Sequence, residues 1–74
     1  MTPRQLTKQE CLARYEKSDF LTPLQAPKGD RTYKYRHVDT DGEWMSFYCL
    51  ELNDVMVRRR EGRDWIELEG YTPK

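Results

Sequence analysis

Histidine is almost missing from this chain: His37 is the only one in 74 residues. Cysteine is scarce too, with Cys11 and Cys49 alone, and glycine occurs four times. No run of about 18 apolar residues exists, so no segment can cross a membrane as a helix. No basic-then-apolar start leads to a small-residue cleavage site, so no secretory leader is expected and a cytoplasmic location is. A charge surplus is absent as well. Lys plus Arg is 13 and Asp plus Glu is 13. Duplex DNA binding rests on a basic excess, which this chain lacks.

Each absence narrows the chemistry. A structural zinc needs about four Cys, His or carboxylate ligands, and the two cysteines do not stand in a ligand spacing. No metal and no cofactor are therefore expected. The cysteines read as reduced, small apolar core residues, with a single disulfide between them as the open alternative. Asp39, Asp41 and Glu43 surround a turn but lack the spacing of a twelve-residue calcium loop. No phosphate-cradling glycine loop occurs. His37 is the default acid–base group, and its expected strand neighbour is Ser46, with Cys49 on the other face. Without an orienting third group this pair is no catalytic constellation, and a non-enzymatic protein is expected.

What is present is charge and aromatic residues, at 35% and 12%. The zero net charge is arranged in blocks. Residues 1–27 sum to +1, 28–36 to +3, 37–54 to −5, 55–63 to +3 and 64–74 to −2. The alternation carries more information than the total.

The N-terminal part reads as a helix over about residues 7–18. Thr7 is the N-cap, because Glu10 three residues on completes a capping box. Leu6 and Cys11 occupy the positions of a hydrophobic staple. Thr2-Pro3 offers a competing, earlier start. Cys11, Leu12 and Tyr15 share one face. Residues 19–30 read as a loop. Thr22-Pro23 and Ala26-Pro27 disfavour helix before each proline, and Lys28-Gly29-Asp30 is turn chemistry. Phe20, Leu21 and Leu24 are expected to pack beneath the domain.

Residues 31–69 read as a four-stranded antiparallel meander, with strands over Arg31–Val38, Glu43–Leu52, Val55–Arg60 and Asp64–Glu69. The turns fall at Asp41-Gly42, Asn53-Asp54 and Glu61-Gly62, and residues 70–74 are a short tail. The expected fold is thus a single small α+β domain: one helix packed on a meander, open to curling into a partial barrel. Two-residue loops at every turn set Val38 opposite Met45, Leu52 opposite Val55 and Val57 opposite Ile66. Tyr33, Tyr35 and His37 then join Trp44, Tyr48, Val55 and Val57 on a core face. A three-residue first loop with a bulge would instead place Tyr33 and Tyr35 with Met45, Phe47 and Cys49.

In the two-residue register the second face collects Arg36 opposite Phe47 and Arg58 opposite Trp65, beside Met45, Met56 and Arg60. Arg, Trp, Phe and Met are enriched at protein interfaces. A guanidinium over an exposed aromatic ring adds ~0.5–1 kcal/mol. Arg36, Phe47, Met56, Arg58, Arg60 and Trp65 are the candidate partner-binding residues. Two alternatives stay open. Met45 and Phe47 become core if the sheet curls, with the arginines lying over them. Phe47 and Trp65 become a stacking platform for single-stranded nucleic acid, flanked by Arg36, Arg58 and Arg60, against the repulsion of the acidic stretch 39–54. Arg59 points to the core side, with Asp64 as its cross-strand partner.

A capped helix (Thr7–Lys17) followed by a short, highly charged meander (Tyr33–Glu69) without pocket chemistry resembles small phage-encoded inhibitors of bacterial RNA polymerase. The resemblance implies a protein of the host cytoplasm, and a monomer is expected. It would occupy a surface of a large host machine, candidate bacterial RNA polymerase, and inhibit transcription.

Overall fold

A computed structural model of the chain describes residues 4–25 and 31–74. The earlier helix start at Thr2-Pro3, the turn Lys28-Gly29-Asp30 and the side chain of Leu24 lie outside the described residues. The order of elements is α1 (Lys8–Lys17), β1 (Leu21–Gln25), β2 (Thr32–Asp41), β3 (Trp44–Cys49), β4 (Asp54–Glu61) and β5 (Asp64–Tyr71). The strands form one antiparallel sheet in sequence order β1-β2-β3-β4-β5, curled into a half-barrel.

Helix α1 starts and stops where local chemistry directs. The Thr7 hydroxyl accepts from the Glu10 amide at 3.2 Å, and a Glu10 carboxylate oxygen accepts from the Thr7 amide at 3.2 Å. This reciprocal pair satisfies two donors that the helix leaves open. Leu6 and Cys11 are both buried, as a staple requires. Arg14 and Lys17 lie in the last turn, where cations complement the helix dipole. The tail is ordered against this start. Strand β5 runs on to Tyr71, whose hydroxyl accepts from the Leu6 amide at 2.7 Å. Pro73 is buried, and the Lys8 amide donates to the Lys74 carbonyl at 2.9 Å.

The sheet has five strands rather than four. The extra one, β1, lies within the expected loop 19–30 and pairs with β2, Leu21 facing Arg36 and Gln25 facing Thr32. It is an outer strand, the place in a sheet that tolerates a proline such as Pro23. Phe20 lays its ring against Phe47 and His37 but stays 53% exposed, and Leu21 is 46% exposed, so neither is buried beneath the domain as expected.

The hairpin loops differ from the expected ones. The first is Gly42-Glu43, with Asp41 facing Trp44. The second spans residues 50–53, with Cys49 facing Asp54. The third is Gly62-Arg63, with Glu61 facing Asp64. Gly42 and Gly62 open their loops with φ of +61° and +63°, a conformation that glycine adopts at little cost. Val38 therefore does not oppose Met45, which faces Thr40; Val55 faces Tyr48 instead of Leu52; Ile66 faces Arg59 instead of Val57.

A bulge at Val38 settles the faces. His37 pairs with Phe47 and Asp39 with Ser46, so Val38 is the additional residue on β2. Because side chains alternate, one inserted residue moves everything before it to the opposite face. Tyr33, Tyr35 and His37 thereby leave the helix side, and Arg36 and Val38 join it. One core cluster, under α1, gathers Leu6, Cys11, Val38, Tyr48, Val55 and Val57. A second, on the other face, holds Tyr35, Phe47, Cys49 and Met56, with Tyr33 and Met45 against it. Arg14 of α1 engages the bulge, donating to the Val38 carbonyl at 3.2 Å and pairing with Asp39 at 2.7 Å. Cys11 and Cys49 are buried in different clusters as free thiols.

Candidate functional site

The face away from α1 is organised in rows by strand register. His37, Phe47 and Met56 form one row. Thr40, Met45, Arg58 and Glu67 form the next, and Arg60 with Trp65 the outermost. Phe47 and Met56 of the first row are interior, and His37 at its end is half-buried. Phe47 is 1% exposed and Met56 8%, because the sheet curls over them and Phe20, His37 and Arg58 pack on the Phe47 ring.

The outer rows stay at the surface. The Arg58 guanidinium carbon sits 5.5 Å from the Phe47 ring centroid, and its Nη2 donates to a Glu67 carboxylate oxygen at 3.2 Å. Arg58 is thus held at two points. Arg60 donates from Nε to the Gly62 carbonyl at 3.1 Å, which draws the side chain back over its own hairpin. Trp65, directly opposite Arg60, is 43% exposed. Its indole leaves a large apolar area open on the sheet face, as Phe20 and Leu50 do elsewhere on the surface.

Of the six residues singled out from sequence, Arg58, Arg60 and Trp65 lie together. Phe47 and Met56 share their face but are buried beneath it. Arg36 lies on the other face: it pairs with Tyr48, its guanidinium carbon is 4.6 Å from the Tyr15 ring centroid, and it donates to the Tyr15 carbonyl at 3.3 Å. The Val38 bulge moved it there. Trp65 faces Arg60 and not Arg58, because the third turn lies one residue later than expected. Sequence reasoning passed over Glu67, the residue that fixes Arg58. Its signal was a carboxylate on the same face in either register; only its place opposite Arg58 depends on the Gly62-Arg63 turn. Arg59 does not pair with Asp64. It lies over Trp44 at 5.8 Å and approaches Glu61 at 3.7 Å.

His37 is not opposite Ser46, which lies on the helix face and is buried. Its Nε2 meets the Thr40 hydroxyl at 2.5 Å, and its ring lies against Phe20 and Phe47. Cys49 shares the face of His37 rather than opposing it. A shallow cleft of ≈ 330 Å³ beside His37 is also lined by Arg14, Lys17 and Asp19. Arg14 there is already engaged by Asp39. Among the described residues, no three His, Cys, Asp or Glu side chains gather as metal ligands would. The stacking platform for single strands keeps Trp65 at the surface, while its second ring, Phe47, is covered.

No family model, curated protein or solved structure matches this chain.

Proposed function

We propose that this chain is a protein-binding regulator without catalytic chemistry of its own, docking through the β4–β5 face of Trp65, Arg60 and Arg58. One observation carries the reading: an exposed indole directly opposite an arginine, beside a second arginine already fixed by Glu67 and Phe47. Trp and Arg dominate binding energy at interfaces, and a side chain held before contact loses less freedom on binding. The candidate partner is a bacterial machine such as RNA polymerase, with inhibition of transcription as the outcome. That choice rests on the resemblance in size, layout and charge density.

The test is capture from bacterial lysate by the wild type and by a Trp65→Ala/Arg60→Ala variant of unchanged circular dichroism. Loss of an anchor costs about 2 kcal/mol or more, a roughly 30-fold weakening. Equal capture of the same protein by both would refute the surface. Addition of the chain to a purified polymerase in a run-off transcription reaction tests the partner, and undiminished transcript at saturating protein would refute it.

A further inference from the structure

We propose that the outer edge of β5 accepts an extended, basic segment of the partner as a sixth antiparallel strand, over residues 64–68. The inference rests on the docking reading above and specifies how that surface is used.

Strand β5 ends the described sheet, with β4 on one side only. Natural sheet edges are blunted by charged side chains, lysine above all, by proline or by bulges, and acids alone do not oppose a basic strand. The opposite edge, β1, contains Pro23. Strand β5 has no proline or lysine. Its irregularity is confined to one end, where Glu69 and Gly70 together face Met56. Asp64–Leu68 is therefore regular strand, about the length of a typical strand, and Asp64 through Glu67 are exposed. An open ladder of this kind pairs with an extended chain through its main chain and selects among sequences through alternate side chains.

Those side chains define the occupant. Across β5 stand Asp64, Glu67 and Glu69, with no basic residue. Glu67 gives one oxygen to Arg58 and remains 56% exposed. Trp65 and Glu67 point to the same face by register, and Ile66, 38% exposed, to the other. A strand laid alongside would set Lys or Arg beside Glu67 and over the Trp65 ring, and an apolar side chain beside Ile66. A second copy of this chain supplies no such strand by its edges. Neither β1 nor β5 carries Lys or Arg, and β5 against β5 would bring acids together. Charge complementarity thus points to a different protein.

The experiment is amide chemical-shift mapping of the isotope-labelled full chain with three blocked peptides. The first is Lys-Val-Lys-Val-Lys-Val-Lys, the second has its central Val replaced by Pro, and the third has Glu for every Lys. The expected result is shifts concentrated in Asp64–Leu68, at least about tenfold weaker binding for the proline peptide, which lacks a ladder donor, and no binding of the acidic one. Shifts centred on β1 or α1, equal binding of all three peptides, or no shifts at millimolar peptide would overturn the proposal. So would β5 shifts produced by raising the concentration of the chain alone. The two readings separate cleanly. If β5 is silent but Trp65→Ala/Arg60→Ala loses its captured protein, the edge fails and the face stands. If β5 responds and the double variant keeps its protein, the face fails.

Discussion

Replacing Gly70 by alanine probes the sheet at its tightest point. A Cβ added to Gly70 would lie 2.1 Å from the Val55 carbonyl oxygen, 3.1 Å from its carbon and 3.4 Å from the Met56 Cα. All three are main-chain atoms of β4, so no side-chain rotation relieves the clash. Carbon–oxygen contacts between strands settle at about 3.3–3.6 Å, so the strands must part by roughly 1 Å. Val55 is fully buried in the cluster under α1, which makes that shift costly. Overpacking costs about 1–3 kcal/mol, occasionally more. Alanine returns ~0.4–1 kcal/mol by restricting the unfolded chain. A clash with main chain that cannot rotate away takes the upper end of that range, so the net expectation is a loss of about 2 kcal/mol. For a domain of this size each kcal/mol shifts Tm by ~4–8 °C, so Tm should fall by about 8–16 °C. Urea unfolding and thermal melting followed by circular dichroism measure both. Gly42→Ala and Gly62→Ala are the internal controls: nothing lies within 4 Å of either Cβ, but φ is +61° and +63°. They should each cost only about 1 kcal/mol, the strain of a left-handed residue. A Gly70→Ala stability within ~0.5 kcal/mol of wild type would refute the close approach of β4 and β5.

Thr7→Ala removes half of the capping box and should cost about 1 kcal/mol, read from the urea midpoint. The Arg4 guanidinium, together with the Thr7 amide, holds the Glu10 carboxyl below its ordinary 4.5. A depressed folded value means that this contribution is present above that pH and fades as pH falls through and below it; the acid-side stability loss should shrink in Arg4→Ala. Burial, with the Glu10 charge beside it, pushes the Cys11 thiol up to about 11. Cys11 should therefore resist iodoacetamide at pH 8 in the folded protein and react on unfolding in urea, as mass spectrometry would show. Burial and the hydrogen bond to Asp54 raise the Tyr35 phenol above its ordinary 10.0. Its contribution is complete below that pH and lost as pH rises above it. Tyr35→Phe should cost about 1 kcal/mol near neutrality and show a flatter alkaline stability curve.

How far the fold could be read depended on whether a feature is local. The capping box, the staple and the helix end are set within a few residues, and all three stand where the sequence places them. The turns were harder. Glycine tolerates positive φ at either position of a short loop, so Gly42 and Gly62 mark each turn without fixing which neighbour shares it. That ambiguity displaces cross-strand partners by an even step and leaves every side chain on its own face. The four-residue second loop also makes an even step. The Val38 bulge makes an odd one and reverses the whole start of β2. A bulged first hairpin is the alternative reading of the sequence, and its faces are those observed, with Tyr33 and Tyr35 beside Met45, Phe47 and Cys49; nothing local sets the bulge at Val38, which is as good a strand residue as its neighbours. Its support comes from Arg14, 24 residues away in sequence, which binds its carbonyl. Strand β1 escaped for a related reason. Two prolines suggest a loop, and only a position at the sheet edge makes Pro23 acceptable.

The same arithmetic explains which site residues survived. Arg58, Arg60 and Trp65 lie beyond the second and third turns, where errors were even, so they kept their face together. Arg36 lies before the bulge and was carried to the helix side. Phe47 and Met56 kept the face but not the surface, because a curled sheet has an interior on both sides. The mixture of Met, Phe, Trp and Arg therefore contains two populations. Toward β2 the apolar members are core, with Arg58 lying over them. Toward β5 the one large apolar side chain, Trp65, has no such cover among the described residues. The charge blocks divide along the same line: β4 carries three arginines and β5 three acids, so the charge changes sign at the last strand of the sheet. Arg58 and Glu67 join the two strands across that boundary, which leaves the outermost ladder acidic and its indole exposed. On the reading proposed above, the exposed indole and the acidic ladder beside it form one contact surface, apolar on its face and negative along its edge.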